Sequence, residues 1–365
     1  HNIDPVAYFH AVYRVFLDVE ACSKPLVKKF FAVGEYVICL QFVGNALVSS
    51  MTDALRHLAV HPTPSPDLTI CLWDSASTRI APPPSPLTWG DSTNEPSIVN
   101  SLSNIEFDLR GTLPAYNTDR IYSAFNLWEP QLSILDVQQN LALYWIQDAA
   151  QIPYYETSAP LCKILGWWFT SRDRQFVHAA SVGTPKMGGV LLAGKGGSGK
   201  STTALACLNA GLTYLGDDYC LVASDPNPYV YSVYNTAKLK GQADIERFPQ
   251  LAPMVSNFDC LETQKALLFL HTNYSNQIVS GLPLKAILLP RVTHGSETQL
   301  YSISSMAALK GLAPSTLFQL PGKNNRFAFQ HLSKLVQQLP CYSLALGTNL
   351  KAIPNLILTL LTGLS

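Results

Sequence analysis

The stretch GGVLLAGKGGSGKSTTALACLNAGLTYLGDDYCLV, residues 188–222, constrains this chain more than any other. An apolar run, GVLLA at 189–193, enters a glycine-rich turn that ends in Lys-Ser. A helix-forming segment follows at 201–212, with Gly211 as its expected stop. Gly194, Gly199, Lys200 and Ser201 satisfy the spacing G-x-x-x-x-G-K-[ST] between a strand and a helix. To wrap an anionic phosphate chain, several main-chain N–H groups must face inward, and Cβ atoms would block them. Gly194, Gly196, Gly197 and Gly199 carry none, and the helix behind them turns its positive end toward the anion. Lys200 adds a point charge between the outer phosphates, and the Ser201 hydroxyl suits the hard-oxygen preference of Mg²⁺. The expected cradle for a nucleoside triphosphate is Gly194, Lys195, Gly196, Gly197, Ser198, Gly199, Lys200, Ser201 and Thr202. Its contacts go to phosphates and do not choose the base.

A second short apolar run, TYLG, ends in Asp217 and Asp218, with only the helical segment between it and the first run. If the two runs are neighbouring strands, the acids lie at their carboxyl ends, where open α/β sheets hold ligands. Adjacent carboxylates can divide labour, one serving the metal and one taking a proton from an incoming hydroxyl. They also fit a strand end with one metal-binding and one capping aspartate. His178 sits in QFVHAASVG, just before a hairpin (GTPKMGG) whose return strand ends at the cradle. It is a neighbour for the acid pair, or a histidine satisfied within the core.

This set, His178 in an apolar strand, Gly194 to Ser201, and Asp217–Asp218, resembles the HPr kinase/phosphorylase superfamily, whose P-loop core is shared with phosphoenolpyruvate carboxykinase. The resemblance covers 174–222 well, with weaker likeness at AILLPRV (286–292) and LPCYSLALGTNLKAIPNLI (339–357). It implies ATP-dependent phosphorylation of a serine-type hydroxyl on a protein or peptide. Carried over, Asp217 is the base and His178 its partner, Lys200 belongs with them as a catalytic residue, and Ser201 with Asp218 holds Mg²⁺. The stretch VYNTAKLKGQADIERF (233–248) lacks the Leu-Glu-Ile-Arg-Gly-type signature that follows the pair in true HPr kinases. Members without it include kinases that modify precursor peptides, and a small-molecule hydroxyl is also open as acceptor.

Transferring a phosphoryl group needs positive charge where the transition state spreads its negative charge. Lys238, Lys240 and Arg291 are candidates, although solvated surface positions are the commoner fate of lone cations. Two other readings of the cradle remain. One is a nucleotide-hydrolysing switch or binding protein with no phosphorylated acceptor. The other is a carboxykinase-like enzyme, for which no second metal site with a Lys/His pair is evident.

Elsewhere the chain is less specific. Residues 8–60 hold apolar runs that read as strands, YRVFLDVEA and YVICLQFVG, and LTICLWD is a strand-like island in a Pro/Ser-rich stretch at 61–97. A long loop is expected around Ala81–Pro96. IEFDLRG, RIYSAFNLW and LSILDV read as further strands before a helical stretch, and 158–173 reads as an amphipathic helix. Trp167, Trp168, Tyr154 and Tyr155 are expected in an interdomain core. The fold class expected is therefore α/β. A β-rich N-terminal domain, 1–160, serves acceptor recognition or assembly, with a homo-oligomer left open. A P-loop, HPr kinase-like C-terminal domain fills 161–365. The 25 basic and 25 acidic residues balance without runs of like charge, which argues against a nucleic-acid surface. Eight scattered cysteines without paired spacing read as free thiols of a reducing compartment. The run at 353–364 is shorter than the roughly 20 residues a membrane span needs. With no signal-like start, a soluble cytoplasmic protein is expected.

Overall fold

The structure, a computed structural model, describes residues 3–22, 25–89, 111–293, 295–320 and 325–365. It is a mixed α/β chain with several sheets that divides into two units. One comprises 1–53 and 59–171. The other comprises 54–58 and 172–365.

The first unit opens on helix α1, Pro5–Ala21. The run YRVFLDVEA, expected as a strand, is its second half. The Asp4 side chain accepts hydrogen bonds from the N–H groups of Val6 and Ala7 at 2.9 and 3.1 Å, and Pro5 occupies the first turn. Tyr8, Phe9, Val12, Phe16 and Val19 then recur at helical spacing and are buried. The β-branched and aromatic composition of nine residues hid that longer period. A six-stranded sheet follows, in the order β1-β2-β3-β6-β5-β4. Its strands are β1 Leu26–Val33, β2 Tyr36–Val43, β3 Leu68–Asp74, β4 Ile121–Asn126, β5 Gln131–Asp136 and β6 Leu141–Ile146. Strand β6 stands where a helix was expected. The Asp136 side chain accepts from the N–H groups of Gln138 and Gln139, and Asn140 takes φ +51, so the chain turns straight back along β5. Helix α2, Cys162–Thr170, packs on β5 and buries Trp167 and Trp168 against Tyr122 and Tyr36, all within this unit. Tyr155 is half exposed. The expected strand at 105–110 and the loop residues 90–96 lie outside the described residues.

The second unit is built on a nine-stranded sheet. Its path runs β10-β8-β9-β15-β12-β11-β7, with β17 on β15 and β16 on β17. The strands are β7 Gln175–Val177, β8 Ala179–Thr184, β9 Gly188–Ala193, β10 Thr213–Gly216, β11 Cys220–Ala223 and β12 Tyr229–Tyr231. Strands β13 Thr236–Leu239 and β14 Ala266–Phe269 form a separate ribbon, and β15 Gly281–Val292, β16 Gln299–Ser302 and β17 Cys341–Leu346 complete the set. Its longer helices are α3 Lys200–Asn209, α4 Ser305–Gln319, α5 Asn325–Gln338 and α6 Ala352–Gly363. Strand alternation decides which face each side chain takes. Val190 and Leu192 join the core under α3 and α6, while Leu191 and Ala193 join the core under α4 and α5. Both faces of β9 are thus covered, which is why it reads as an unbroken apolar run. Strands β9, β15 and β17 run parallel, so their carboxyl ends share one edge of the sheet. Among the described residues no helix is long and apolar enough to cross a membrane.

The segment 54–58 is sewn into this unit by Asn235, which is fully buried. Its side-chain amide donates to the Ala54 carbonyl at 2.9 Å, and its carbonyl accepts from the His271 N–H at 3.4 Å. Asn235→Ala removes both side-chain bonds, leaving the His271 N–H without this acceptor while the Ala54 carbonyl keeps the main-chain N–H of residue 235 at 2.8 Å, and is expected to cost about 1–3 kcal/mol. Denaturant unfolding measures this as a lowered midpoint at unchanged slope.

Candidate active site

The Gly194–Ser201 turn leaves the carboxyl end of β9 and enters α3 directly. Gly199, the residue before the helix, takes φ +104, and a Cβ built there would meet Leu346 Cδ1 at 2.3 Å. A side chain at this position would therefore face both backbone strain and a clash with β17. Lys195, Gly196 and Gly197 are exposed, whereas Ser198 and Lys200 are buried. The Lys200 ammonium donates to the carbonyls of Gly194 and Lys195 at 2.7 and 3.2 Å, closing the turn upon itself. Burial holds Lys200 below the ordinary lysine value, against the opposing pull of Asp217 and Asp218. Ser201 and Thr202, in the first turn of α3, are partly exposed.

His178 reaches this edge because the chain changes partners there. Val177 pairs with Cys220 of β11, while Ala179 pairs with Ala193, the last residue of β9. His178, between them, stands between the start of the glycine turn and the acid pair. Asp217, Asp218 and Tyr219 make the matching crossing from β10 to β11. The His178 main-chain N–H donates to the Thr316 hydroxyl at 3.1 Å, and its ring Nε2 meets Asp218 Oδ1 at 3.4 Å. Its Nδ1 is buried and has no hydrogen-bond partner.

The two aspartates differ sharply. Asp217 is 5% exposed, and among the described residues neither carboxylate oxygen meets a partner at full hydrogen-bonding geometry, the Ser201 hydroxyl being its nearest donor. Burial, then the neighbouring Asp218 charge, pushes its carboxyl up to about 6. The nearby Ser201 hydroxyl, Lys238 and Lys200 pull the other way and lose. Asp218 takes φ +71, uncommon for a residue with a side chain. Burial disfavours its charge too, but the His178 hydrogen bond and Lys238 outweigh burial and hold it well below the usual carboxylate range. Lys238 Nζ lies 3.1 Å from Asp218 Oδ2. The sequence expectation paired His178 with Asp217, whereas in the fold His178 meets Asp218 and Ser201 neighbours Asp217.

The cations divide in a way composition did not reveal. Lys238, for which a surface position was the commoner expectation, is only 14% exposed and bound to Asp218. Lys240 and Arg291 are exposed. Lys265, which no motif singled out, adds its charge to Asp218 and Lys200. Lys238 arrives on β13, with Lys265 immediately before β14, in a ribbon anchored by the buried Tyr214 hydroxyl donating to the Thr236 carbonyl at 2.7 Å. Pairing between residues this far apart in sequence leaves no local spacing to read.

No family model matches the chain, and no curated protein matches it. Among solved structures, the HPr(Ser) kinase/phosphatase from Coxiella burnetii matches 52% of this chain and 95% of its own, with 12% identity and a TM-score of 0.29.

The unpaired, buried charge of Asp217 has a measurable consequence for stability. Its folded pKa lies above its unfolded value, so the penalty is absent below the unfolded value and full above about pH 7. Asp217→Asn keeps the shape and removes the charge. It is expected to raise the Tm of the ligand-free protein at pH 8 by several degrees, on the order of 2 kcal/mol. That gain is expected to vanish near pH 4, and paired thermal scans at the two pH values check both signs.

Proposed function

We propose that the second unit is an ATP- and Mg²⁺-dependent phosphotransferase of HPr kinase-like architecture. It transfers the γ-phosphoryl group to a hydroxyl, on a serine of a protein or peptide or on a small molecule. The observation that carries this reading is the convergence, at one sheet edge, of the Gly194–Ser201 turn, the buried unpaired Asp217 and the His178–Asp218 pair. A metal-holding acid alone would suit a nucleotide-binding protein as well, whereas a second acid held by an imidazole beside it suits proton transfer from an acceptor.

The residues fit a hard cation. A buried carboxylate without hydrogen-bond partners, next to a serine hydroxyl, is an oxygen donor set left open, and Mg²⁺ suits it because that ion keeps waters and phosphate oxygens in its remaining positions. Once bound, the ion would offset negative charge on the outer phosphates. The geometry favours Asp217 with Ser201 as its holders, the reverse of the division that the resemblance implied. Gly194 to Thr202 wrap the phosphates with main-chain N–H groups, and Lys200 turns from the loop carbonyls to the outer phosphates. Asp218 is the more accessible acid and carries His178 on one oxygen. The acceptor hydroxyl gives its proton to Asp218, its oxygen bonds to the γ-phosphorus, the bridging bond to the β-phosphate breaks, and the nucleoside diphosphate leaves. The first unit is proposed to recognise the acceptor or join copies of the chain.

Incubation with γ-labelled ATP, Mg²⁺ and a panel of hydroxyl-bearing peptides and metabolites, read by mass spectrometry, is expected to yield a phosphorylated acceptor. Nucleotide loss stimulated by a protein partner, with no phosphorylated product, would instead favour a hydrolytic switch. Asp218→Asn is expected to lower transfer about 10²- to 10⁴-fold while nucleotide still binds. Asp217→Asn and Ser201→Ala are each expected to raise the Mg²⁺ concentration needed for half-maximal rate. If Asp218→Asn keeps near-normal turnover and Asp217→Asn does not, the base is Asp217.

A further inference from the structure

Lys238 stands on a strand whose alternate residues, Ala237 and Leu239, are buried in the core beneath α3. The pleat turns Lys238 to the opposite face, toward the acid pair. A lysine so little exposed is expected to have a partner. Here the partner is Asp218 Oδ2 at 3.1 Å, with the Tyr219 ring centroid 5.9 Å from the ammonium. Asp218 is therefore gripped from two sides, by His178 on Oδ1 and Lys238 on Oδ2. Its left-handed backbone is costly for a residue with a Cβ, and such conformations persist where surrounding contacts over-determine them. The two grips supply that determination, one from the crossing between β7 and β8 and one from β13.

Building on the phosphotransferase reading, we propose that Lys238 is a positioning residue for phosphoryl transfer: with His178 it fixes the Asp218 carboxylate in the orientation that meets the acceptor hydroxyl. Lys238 is bonded to Asp218 and acts through it. A misplacement of about 1 Å at a reacting group is enough to cost on the order of 10²-fold in rate. Replacing this lysine therefore affects turnover rather than nucleotide affinity.

The test is a double-mutant cycle on kcat in the full chain, with ATP, Mg²⁺ and the best acceptor of the panel. Lys238→Met is expected to lower kcat about 10- to 100-fold and leave the KM for ATP within about twofold. Lys238→Arg, which keeps the charge, is expected to recover most of the loss. In an Asp218→Asn background, Lys238→Met is expected to change kcat less than about twofold, because the group it positions is already gone. Lys238→Gln serves as the second neutral variant if Lys238→Met does not fold by thermal scan. Full additivity of the two substitutions, or an effect confined to KM, overturns the positioning role while leaving the transferase intact. A wild-type chain that binds ATP and phosphorylates nothing overturns the transferase, and this role with it.

Discussion

Two carboxylates on consecutive residues, one of them buried, repel each other and lose their hydration on folding. The second unit keeps them by bringing up three cations: Lys200 at the end of the glycine turn, Lys238 on β13 and Lys265 just before β14. Compensation is uneven. Asp218 gains two direct partners and stays ionised, whereas Asp217 gains only longer-range help and is pushed toward its neutral form. A fold selected for stability alone would close that imbalance with one more hydrogen bond. The imbalance instead leaves Asp217 beside the Ser201 hydroxyl at the head of α3.

The asymmetry arises from a single step along the chain. Strand β10 ends at Gly216, and Asp217 continues inward into the sheet interior. Asp218 then takes a left-handed turn that swings its side chain out toward His178 and Lys238. Adjacent residues thus face different neighbours without any insertion between them. This geometry lets the two charges be compensated separately instead of competing for one partner.

The local part of this edge was legible because its physics is local. The apolar run 189–193, the glycine spacing, the helix that follows and the short strand before the acids are each set by neighbours within a few residues, and the fold contains them all. The N-terminal strand reading failed for the complementary reason. A cap at Asp4 and a period extending from Tyr8 to Val19 were needed to recognise α1, and a nine-residue window holds neither. Strand β6 was missed because its evidence is a turn, Asp136 to Asn140, rather than a pattern within the strand.

What could not be read is what distance in sequence contributes. Leu346 closes on Gly199 from a strand about 150 residues away, so a side chain there would have to displace the Leu346 tip as well as adopt a left-handed backbone. Tyr214 anchors the ribbon through Thr236, and only then does Lys238 fall beside Asp218. A lysine in TAKLK reads as surface by composition, because nothing nearby announces a partner two strands away. The acids announce themselves by adjacency, yet which of them is buried and which is ion-paired is decided by those distant contacts. Motif spacing therefore identifies the edge, while the difference between its two acids follows from topology.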